Sequence, residues 1–188
     1  MWLVRKPEEC HRENYSLEGN SCIEGSVTAT ARYLVESKIN SLEHDYNVDD
    51  LISPLIPIND AHLVLGLEPL ETLRNLKYIS KNTVVILNTH RNYPRNVITG
   101  SEKEKEYPSN EEIVNNLKPL AKNIISRDFN ELSKLKLNNS IFANTIVLGV
   151  GCQLSPVFNK KLLIKVIKDF FEGDRKNIEA FELGYNLK

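Results

Sequence analysis

The run Leu63–Leu67 constrains the fold of this chain more than any other stretch. It is too short and too uniformly apolar for a half-exposed strand, and it is typical of a strand buried on both faces of a parallel α/β sheet. Pro69 suits the first turn of a following helix, and Glu71 suits the positive end of that helix. Glu68 is therefore predicted just past the carboxyl end of the strand, where open α/β sheets place ligands and partner contacts.

A second buried strand is predicted at Thr83–Leu87, which is apolar and rich in β-branched residues. Asn88 and Thr89 follow it directly, so we expect them at the same sheet edge as Glu68. These side chains form either a functional rim or ordinary loop caps, because Asn and Thr also cap loops that bind no ligand. A third strand is predicted at Asn123–Ser126.

Helix starts separate the predicted strands. Ser109 and Glu112 have the spacing of a capping box, Asp128 and Glu131 repeat that spacing, and Asn159 can cap a later helix. The alternation of strand and helix predicts an α/β fold with a doubly wound, mostly parallel sheet, helices on both faces and a helical C-terminal third.

The C-terminal third is predicted to pack through small and apolar residues on its helices. Gly149 and Gly151 predict close packing of one helix against a neighbour. A later helix is predicted to have a wide apolar face, formed by Leu162, Leu163, Val166, Ile167, Phe170 and Phe171. We expect Phe171 and Phe181 in the core. Any part of this face that the sheet cannot cover is expected to be a subunit interface.

The N-terminal region follows different patterns. Trp2–Val4 is compatible with a short strand, and the rest of residues 1–25 is expected to be irregular. From Ser26 an apolar stripe at helical spacing predicts a helix that reaches Leu42. Ser53–Pro57, with prolines at 54 and 57, predicts a stiff extended connector.

Size and charge limit the possible functions. A chain of 188 residues with 41% hydrophobic residues is expected to form one domain, spanning residues 1–188, with an irregular segment 1–25 before the α/β part 26–188. The formal net charge of −1 offers no basic field for nucleic acid or for a membrane surface. No apolar run approaches the roughly 18 residues that span a bilayer. The charged segment Met1–Arg12 lacks the apolar middle of a signal peptide. We expect a cytoplasmic protein without a nucleic-acid or membrane partner.

The residues of the chain predict no catalytic or metal site. The three cysteines, Cys10, Cys22 and Cys152, are scattered, whereas a zinc site or an iron–sulfur cluster needs about four ligands at suitable spacing. The four histidines are also dispersed, and no nucleophile–base arrangement or phosphate loop is present in the sequence.

Six segments, in order along residues 50–187, resemble the gamma domain of 2-oxoacid:ferredoxin oxidoreductases, in particular its indolepyruvate branch. They are Ser53–Pro57, Ala61–Glu71, Thr83–Thr89, Tyr107–Ser109, Ala143–Gly149 and Ala180–Tyr185. The N-terminal part departs from the family pattern. Of the glycine-rich loop only Gly25 matches, and the Gln-Arg-Gly-Gly motif is absent.

The resemblance implies a Rossmann-like small subunit that is not catalytic alone. A larger partner subunit would carry thiamine pyrophosphate and iron–sulfur clusters, with no cofactor bound by this chain alone. The complex would decarboxylate an aryl pyruvate such as indolepyruvate oxidatively, with coenzyme A as a substrate, forming an acyl-CoA and reducing ferredoxin.

The resemblance also implies roles for particular residues. Glu68, Asn88, Thr89 and Asn144 would position loops at the assembly face or near a shared active site, and Ser53 and Pro54 would belong to a rigid connector at its edge. The alternative is a free-standing α/β ligand-binding or regulatory protein. A subunit needs a large apolar patch, whereas a free-standing binding protein needs a concave pocket near Glu68 and Asn88.

Overall fold

The computed structural model describes residues 2–4, 16–19, 29–32, 56–91, 107–156, 158–172 and 175–187. Six strands lie in this part of the chain: β1 Trp2–Val4, β2 Ser16–Gly19, β3 Ala29–Arg32, β4 Leu63–Gly66, β5 Val84–Asn88 and β6 Asn123–Arg127. The helices are α1 Pro69–Arg74, α2 Asn110–Leu117, α3 Phe129–Leu137, α4 Ala143–Leu154, α5 Lys160–Phe170 and α6 Arg175–Tyr185, with 3₁₀ turns at Leu76–Tyr78 and Ser140–Phe142.

The main sheet has the strand order β1-β4-β5-β6. β4, β5 and β6 are parallel to one another, and β1 pairs antiparallel with β4 at the edge. The three strands predicted from apolar runs are therefore confirmed, as is the short strand at Trp2–Val4. Because the helices lie between parallel strands in sequence, the fold is α/β and Rossmann-like, as the sequence predicts.

Neighbouring residues of the central strands alternate between two cores. Leu63, Leu65 and Ile86 pack on one face of the sheet with α3, α4 and α6. Val64 and Val85 pack on the other face with the apolar side of α2. This alternation follows from the period of two in a strand, and it explains why β4 is apolar throughout.

The predicted helix starts are confirmed. The Ser109 hydroxyl accepts from the Glu112 amide at 3.1 Å, and the Glu112 carboxylate accepts from the Ser109 amide at 2.6 Å, which completes the capping box. Asp128 caps α3 and Asn159 caps α5, each by accepting from a backbone amide three residues later.

α4 and α6 cross at a point where both helices have glycine. A Cβ added at Gly149 would come within 2.8 Å of the backbone nitrogen of Tyr185. A Cβ added at Gly184 would come within 2.8 Å of the Ile146 carbonyl carbon and would overlap its oxygen. Glycine is therefore required on both helices, and the close packing predicted at Gly149 is confirmed.

Three predictions from the sequence are wrong. Ala29–Arg32, assigned to a helix from Ser26, is a strand, and it pairs antiparallel with Ser16–Gly19, which was expected to be irregular. Alternating alanines with Thr30 and Arg32 fit a strand as well as a helix, so the partner strand decides between them. The rest of the stripe to Leu42 lies outside the described residues. Phe171, expected in the core, is 39% exposed because it lies just past the last residue of α5, Phe170, where the packed face of the helix ends. Phe181 is fully buried, as expected.

Candidate functional site

Glu68 links the carboxyl end of β4 to the loop that precedes α2. As the N-cap of α1, its carboxylate accepts from the Glu71 amide at 2.8 Å. The other carboxylate oxygen accepts a hydrogen bond from the Tyr107 hydroxyl. That hydroxyl in turn accepts from the Leu70 amide at 3.2 Å. One carboxylate therefore caps a helix and holds a tyrosine that is 39 residues away in sequence.

The surroundings of Tyr107 favour its neutral form. Desolvation by burial raises the pKa of the Tyr107 phenol, and the hydrogen bond to Glu68 and the negative charge of Glu68 raise it further. The Arg91 guanidinium, 5.5 Å from the centre of the ring, opposes this shift. The phenol thus remains a hydrogen-bond donor to Glu68 at neutral pH.

Asn88 is a buried polar residue at this sheet edge, with 2% of its surface exposed. Its side-chain nitrogen donates to the Leu67 carbonyl at 3.2 Å and to Oδ1 of Asn130 at 2.8 Å. Its side-chain oxygen accepts from the amides of Phe129 at 3.0 Å and His90 at 3.3 Å. One side chain therefore joins the ends of β4 and β5 to the start of α3.

Thr89 contributes through its backbone. Its amide donates to the Arg127 carbonyl at 3.0 Å, and its carbonyl accepts from the Asn110 side chain at 3.1 Å. Asn110 also accepts from Nε of Arg91 at 3.2 Å. We define Glu68, Asn88, Thr89 and Tyr107 as the rim.

The structure brings together three of the residues singled out in the sequence. Glu68, Asn88 and Thr89 lie at the carboxyl ends of β4 and β5. Asn144 does not join them: it is exposed in the first turn of α4, after α3 has run back from this edge. Ser53 and Pro54 lie outside the described residues.

Sequence reasoning missed Tyr107, Asn110 and Asn130 as members of this network. Asn110 and Asn130 each lie in the first turn of a helix that follows a capping residue, so the caps at Ser109 and Asp128 were the available signal. Nothing in the local sequence pairs Tyr107 with Glu68.

The polar atoms of the rim are used to join elements of this chain to one another. Each bond links a strand end to the start of a helix or to a neighbouring loop. This arrangement fixes the geometry of the loops that leave the sheet here. In the described part of the chain, a depression of about 460 Å³ lies elsewhere, between the end of α3 and the outer side of α6.

The donor set of the described residues does not suit an iron–sulfur cluster. Cys152 is buried, and its thiol donates to the Phe158 carbonyl at a distance of 4.0 Å. Desolvation raises the pKa of this thiol, whereas cluster ligation requires a thiolate. Within the ranges described, no three His, Cys, Asp or Glu side chains gather as metal ligands.

The helices in the described part of the chain are all too short or too polar to cross a bilayer.

Known proteins resemble this chain over most of its length. A 30% identical relative, indolepyruvate oxidoreductase subunit IorB of Archaeoglobus fulgidus, aligns over 152 residues, which are 78% of this chain and 72% of the relative. The IorB subunit of Methanothermobacter thermautotrophicus is 33% identical over 77% of this chain and 74% of its own length. That of Pyrococcus horikoshii is 28% identical over 72% of this chain and 67% of its own length.

A family model also matches most of the chain. The model described as pyruvate ferredoxin/flavodoxin oxidoreductase matches residues 22–187. This range includes β3 and the segment around Gly25, where the sequence departs from the family pattern. The chain belongs to the pyruvate ferredoxin/flavodoxin oxidoreductase family.

Proposed function

We propose that this chain is the small subunit of a 2-oxoacid:ferredoxin oxidoreductase of the indolepyruvate type. The observation that carries the proposal is the similarity to proteins named indolepyruvate oxidoreductase subunits, over about three quarters of this chain. In this proposal a larger subunit performs the chemistry, and the complex acts in the cytoplasm.

The division of labour follows from what each chain has to supply. Oxidative decarboxylation of a 2-oxoacid requires thiamine pyrophosphate to stabilise the carbanion, and electron transfer to ferredoxin requires iron–sulfur clusters. The larger subunit would supply both, and coenzyme A would accept the acyl group. This chain has three cysteines, and the described one is a buried thiol with a raised pKa, which supports cluster binding by the partner.

The role proposed for this chain is structural support of the shared site. Glu68, Asn88 and Thr89 would hold the loops of the rim in the geometry that the partner requires, with Tyr107 as the clamp on Glu68. Asn144 would contribute from a different side of the domain, at the start of α4. Ser53 and Pro54 would form the connector at the edge of the assembly face.

The alternative, a free-standing ligand-binding protein, receives less support from the rim. Such a protein needs polar groups that converge on a cavity. The side chains of Asn88 and Glu68 instead bond to other parts of this chain.

The experiment is anaerobic co-expression of the tagged chain with the large oxidoreductase subunit encoded in the same genome. We expect the two chains to co-purify with iron and thiamine pyrophosphate. The complex should reduce a viologen dye with coenzyme A and indolepyruvate, and more slowly with pyruvate or 2-oxoglutarate. Recovery of the tagged chain alone, free of the second chain, would contradict the proposal.

A further inference from the structure

The strand β6, at one side of the main sheet, has an edge with which no strand pairs in the described part of the chain. β5 pairs with the other edge of β6 from Asn123 to Arg127, in a continuous register without a bulge. β6 also contains no proline. Bulges and prolines are two of the features that keep the edges of natural sheets from pairing with another chain. β6 is therefore open to a further strand.

The ladder between β5 and β6 determines which backbone groups face the open edge. The Thr89 amide donates to the Arg127 carbonyl at 3.0 Å, so the backbone of Arg127 faces β5. Successive residues of a strand direct their backbone groups to opposite sides, and those of Ile124 and Ser126 therefore point away from β5. The open edge thus offers two N–H donors and two carbonyl acceptors to another strand.

A strand from a second copy of this chain fits the open edge only in certain registers. A twofold axis perpendicular to the sheet pairs two identical strands antiparallel, and residues that lie opposite each other then have side chains on the same face. Ile124 packs on the face of α2, and Ile125 packs on the face of α3 and α4. Because the two faces alternate along β6, the axis has to pass beside a residue and cannot pass between two residues.

The register with its axis at Ile125 pairs residues of matching character. The opposite pairs are then Ile125 with Ile125, Ile124 with Ser126, Asn123 with Arg127, and Lys122 with Asp128 just outside the strand. Ile124 and Ser126 are the residues with outward backbone groups, so each of their two pairings exchanges two hydrogen bonds. No two like charges lie opposite each other in this register.

The charges at both ends of β6 favour the same register. Lys122 is exposed, and Asp128 keeps 34% of its side chain exposed while it caps α3. Each copy would bring a lysine near the aspartate of the other, and exposed pairs of this kind select a register more than they add affinity. A shift by two residues in one direction places Ile125 opposite Asn123, and in the other direction opposite Arg127. Either shift also separates Lys122 from Asp128.

We propose that two copies of this chain pair antiparallel along β6, about a twofold axis at Ile125, so that their main sheets join into one continuous sheet. The backbone groups of Ile124 and Ser126 supply the hydrogen bonds, and the side chains fix the register. Because the pairing involves five residues of each strand, the contact is small and the dimer is expected to be reversible. The inference does not depend on the proposed function, because both partners are the same chain.

Sedimentation velocity of the full chain, at concentrations up to about 1 mM, measures the association. Ser126→Pro removes an outward amide that donates no bond to β5, so the variant should fold and should raise the dissociation constant of the dimer about tenfold or more. Ser126→Ala is the matched control, because it keeps that amide, and it should dimerise like the unmodified chain. Thermal unfolding checks the fold of both variants.

A charge reversal repeats the test if Ser126→Pro does not fold. Lys122→Glu places a carboxylate beside Asp128 of the other copy and should weaken the dimer. Lys118→Glu is its control, because Lys118 is exposed at the end of α2, outside β6, and the change in net charge is the same. It should leave the dissociation constant unchanged.

Cross-linking tests the register directly. Asn123→Cys combined with Arg127→Cys places thiols opposite each other across the twofold axis, at a Cα separation of about 4.5 Å that suits a disulfide. Oxidation should yield a covalent dimer. Asn123→Cys combined with Ser126→Cys is the control, because it adds the same number of thiols at positions that do not face each other.

Three results would overturn the proposal. The first is an unmodified chain that stays monomeric over the whole concentration range. The second is a dimer that neither Ser126→Pro nor Lys122→Glu weakens, or equal cross-linking of the two cysteine pairs. The third is a Ser126→Pro chain that associates with itself normally but no longer binds the large subunit, which would assign the β6 edge to that subunit.

Discussion

The side-chain nitrogen of Asn88 donates to Oδ1 of Asn130 across 2.8 Å, which ties the carboxyl end of β5 to the first turn of α3. Asn88 also accepts the Phe129 amide, so a single buried side chain sets the entry of α3 onto the sheet. The carboxyl edge of this sheet is built around that side chain.

Replacement of Asn88 by alanine should destabilise the protein by about 2–3 kcal/mol, because the buried Phe129 amide and Leu67 carbonyl would lose a partner. The measurement is urea unfolding. Asn116→Ala is the control, since Asn116 is exposed and bonds only within its own helix in α2. A loss at Asn88 no larger than at Asn116 would contradict the role given to Asn88.

Tyr107→Phe tests the clamp on Glu68. Removing the hydroxyl should cost about 1–2 kcal/mol at neutral pH, because the hydrogen bond to the Glu68 carboxylate is lost. The pKa of the folded phenol is raised, so its contribution to stability is fully present below the ordinary pKa of about 10 and is lost as the pH rises above that value.

An absorbance titration of the folded protein reads this phenol directly. The chain has seven tyrosines, and one phenol that titrates above the ordinary tyrosine pKa should be missing in Tyr107→Phe. Tyr78→Phe serves as the control, because it also removes one phenol hydroxyl but leaves the contact between Tyr107 and Glu68 in place. Loss of an early-titrating phenol in Tyr107→Phe would contradict the contact with Glu68.

The capping box at Ser109 should be visible in acid unfolding. Bonds from Ser109 lower the pKa of Glu112, so the contribution of Glu112 is present above the ordinary glutamate pKa and is lost as the pH falls through the lowered value. Ser109→Ala should cost about 1 kcal/mol. Glu112→Gln should reduce the loss of stability between neutral and acidic pH, and an unchanged pH profile would count against the box.

Gly184→Ala should destabilise the crossing of α4 and α6 by about 2–3 kcal/mol, because the added methyl group would overlap the Ile146 carbonyl. Glu179→Ala, an exposed change on the same helix, should stay within about 0.5 kcal/mol of the unmodified chain. Thermal unfolding separates the two. If Gly184→Ala matched Glu179→Ala, the helices would be farther apart than described.

The parts of the fold that the sequence predicted are those with local signals. β4 and β5 are apolar runs, and the starts of α2, α3 and α5 have a capping residue at the expected place. These features are specified within a few residues, so they could be predicted without knowledge of the rest of the chain.

The errors and omissions depend on distant partners. Ala29–Arg32 is a strand because Ser16–Gly19 pairs with it, and the exposure of Phe171 depends on where α5 packs. Tyr107 contacts Glu68 across 39 residues, and the requirement for Gly184 arises only where α6 meets α4. Contacts of this kind follow from the tertiary fold, which local spacing does not encode.

The most direct test of the central claim is reconstitution of activity from separately purified chains under anaerobic conditions. The large subunit alone and this chain alone should each leave a viologen dye oxidised in the presence of indolepyruvate and coenzyme A. Mixing them should start dye reduction that saturates with added small subunit. Full activity of the large subunit alone, or no activity of the mixture despite bound iron and thiamine pyrophosphate, would contradict the account.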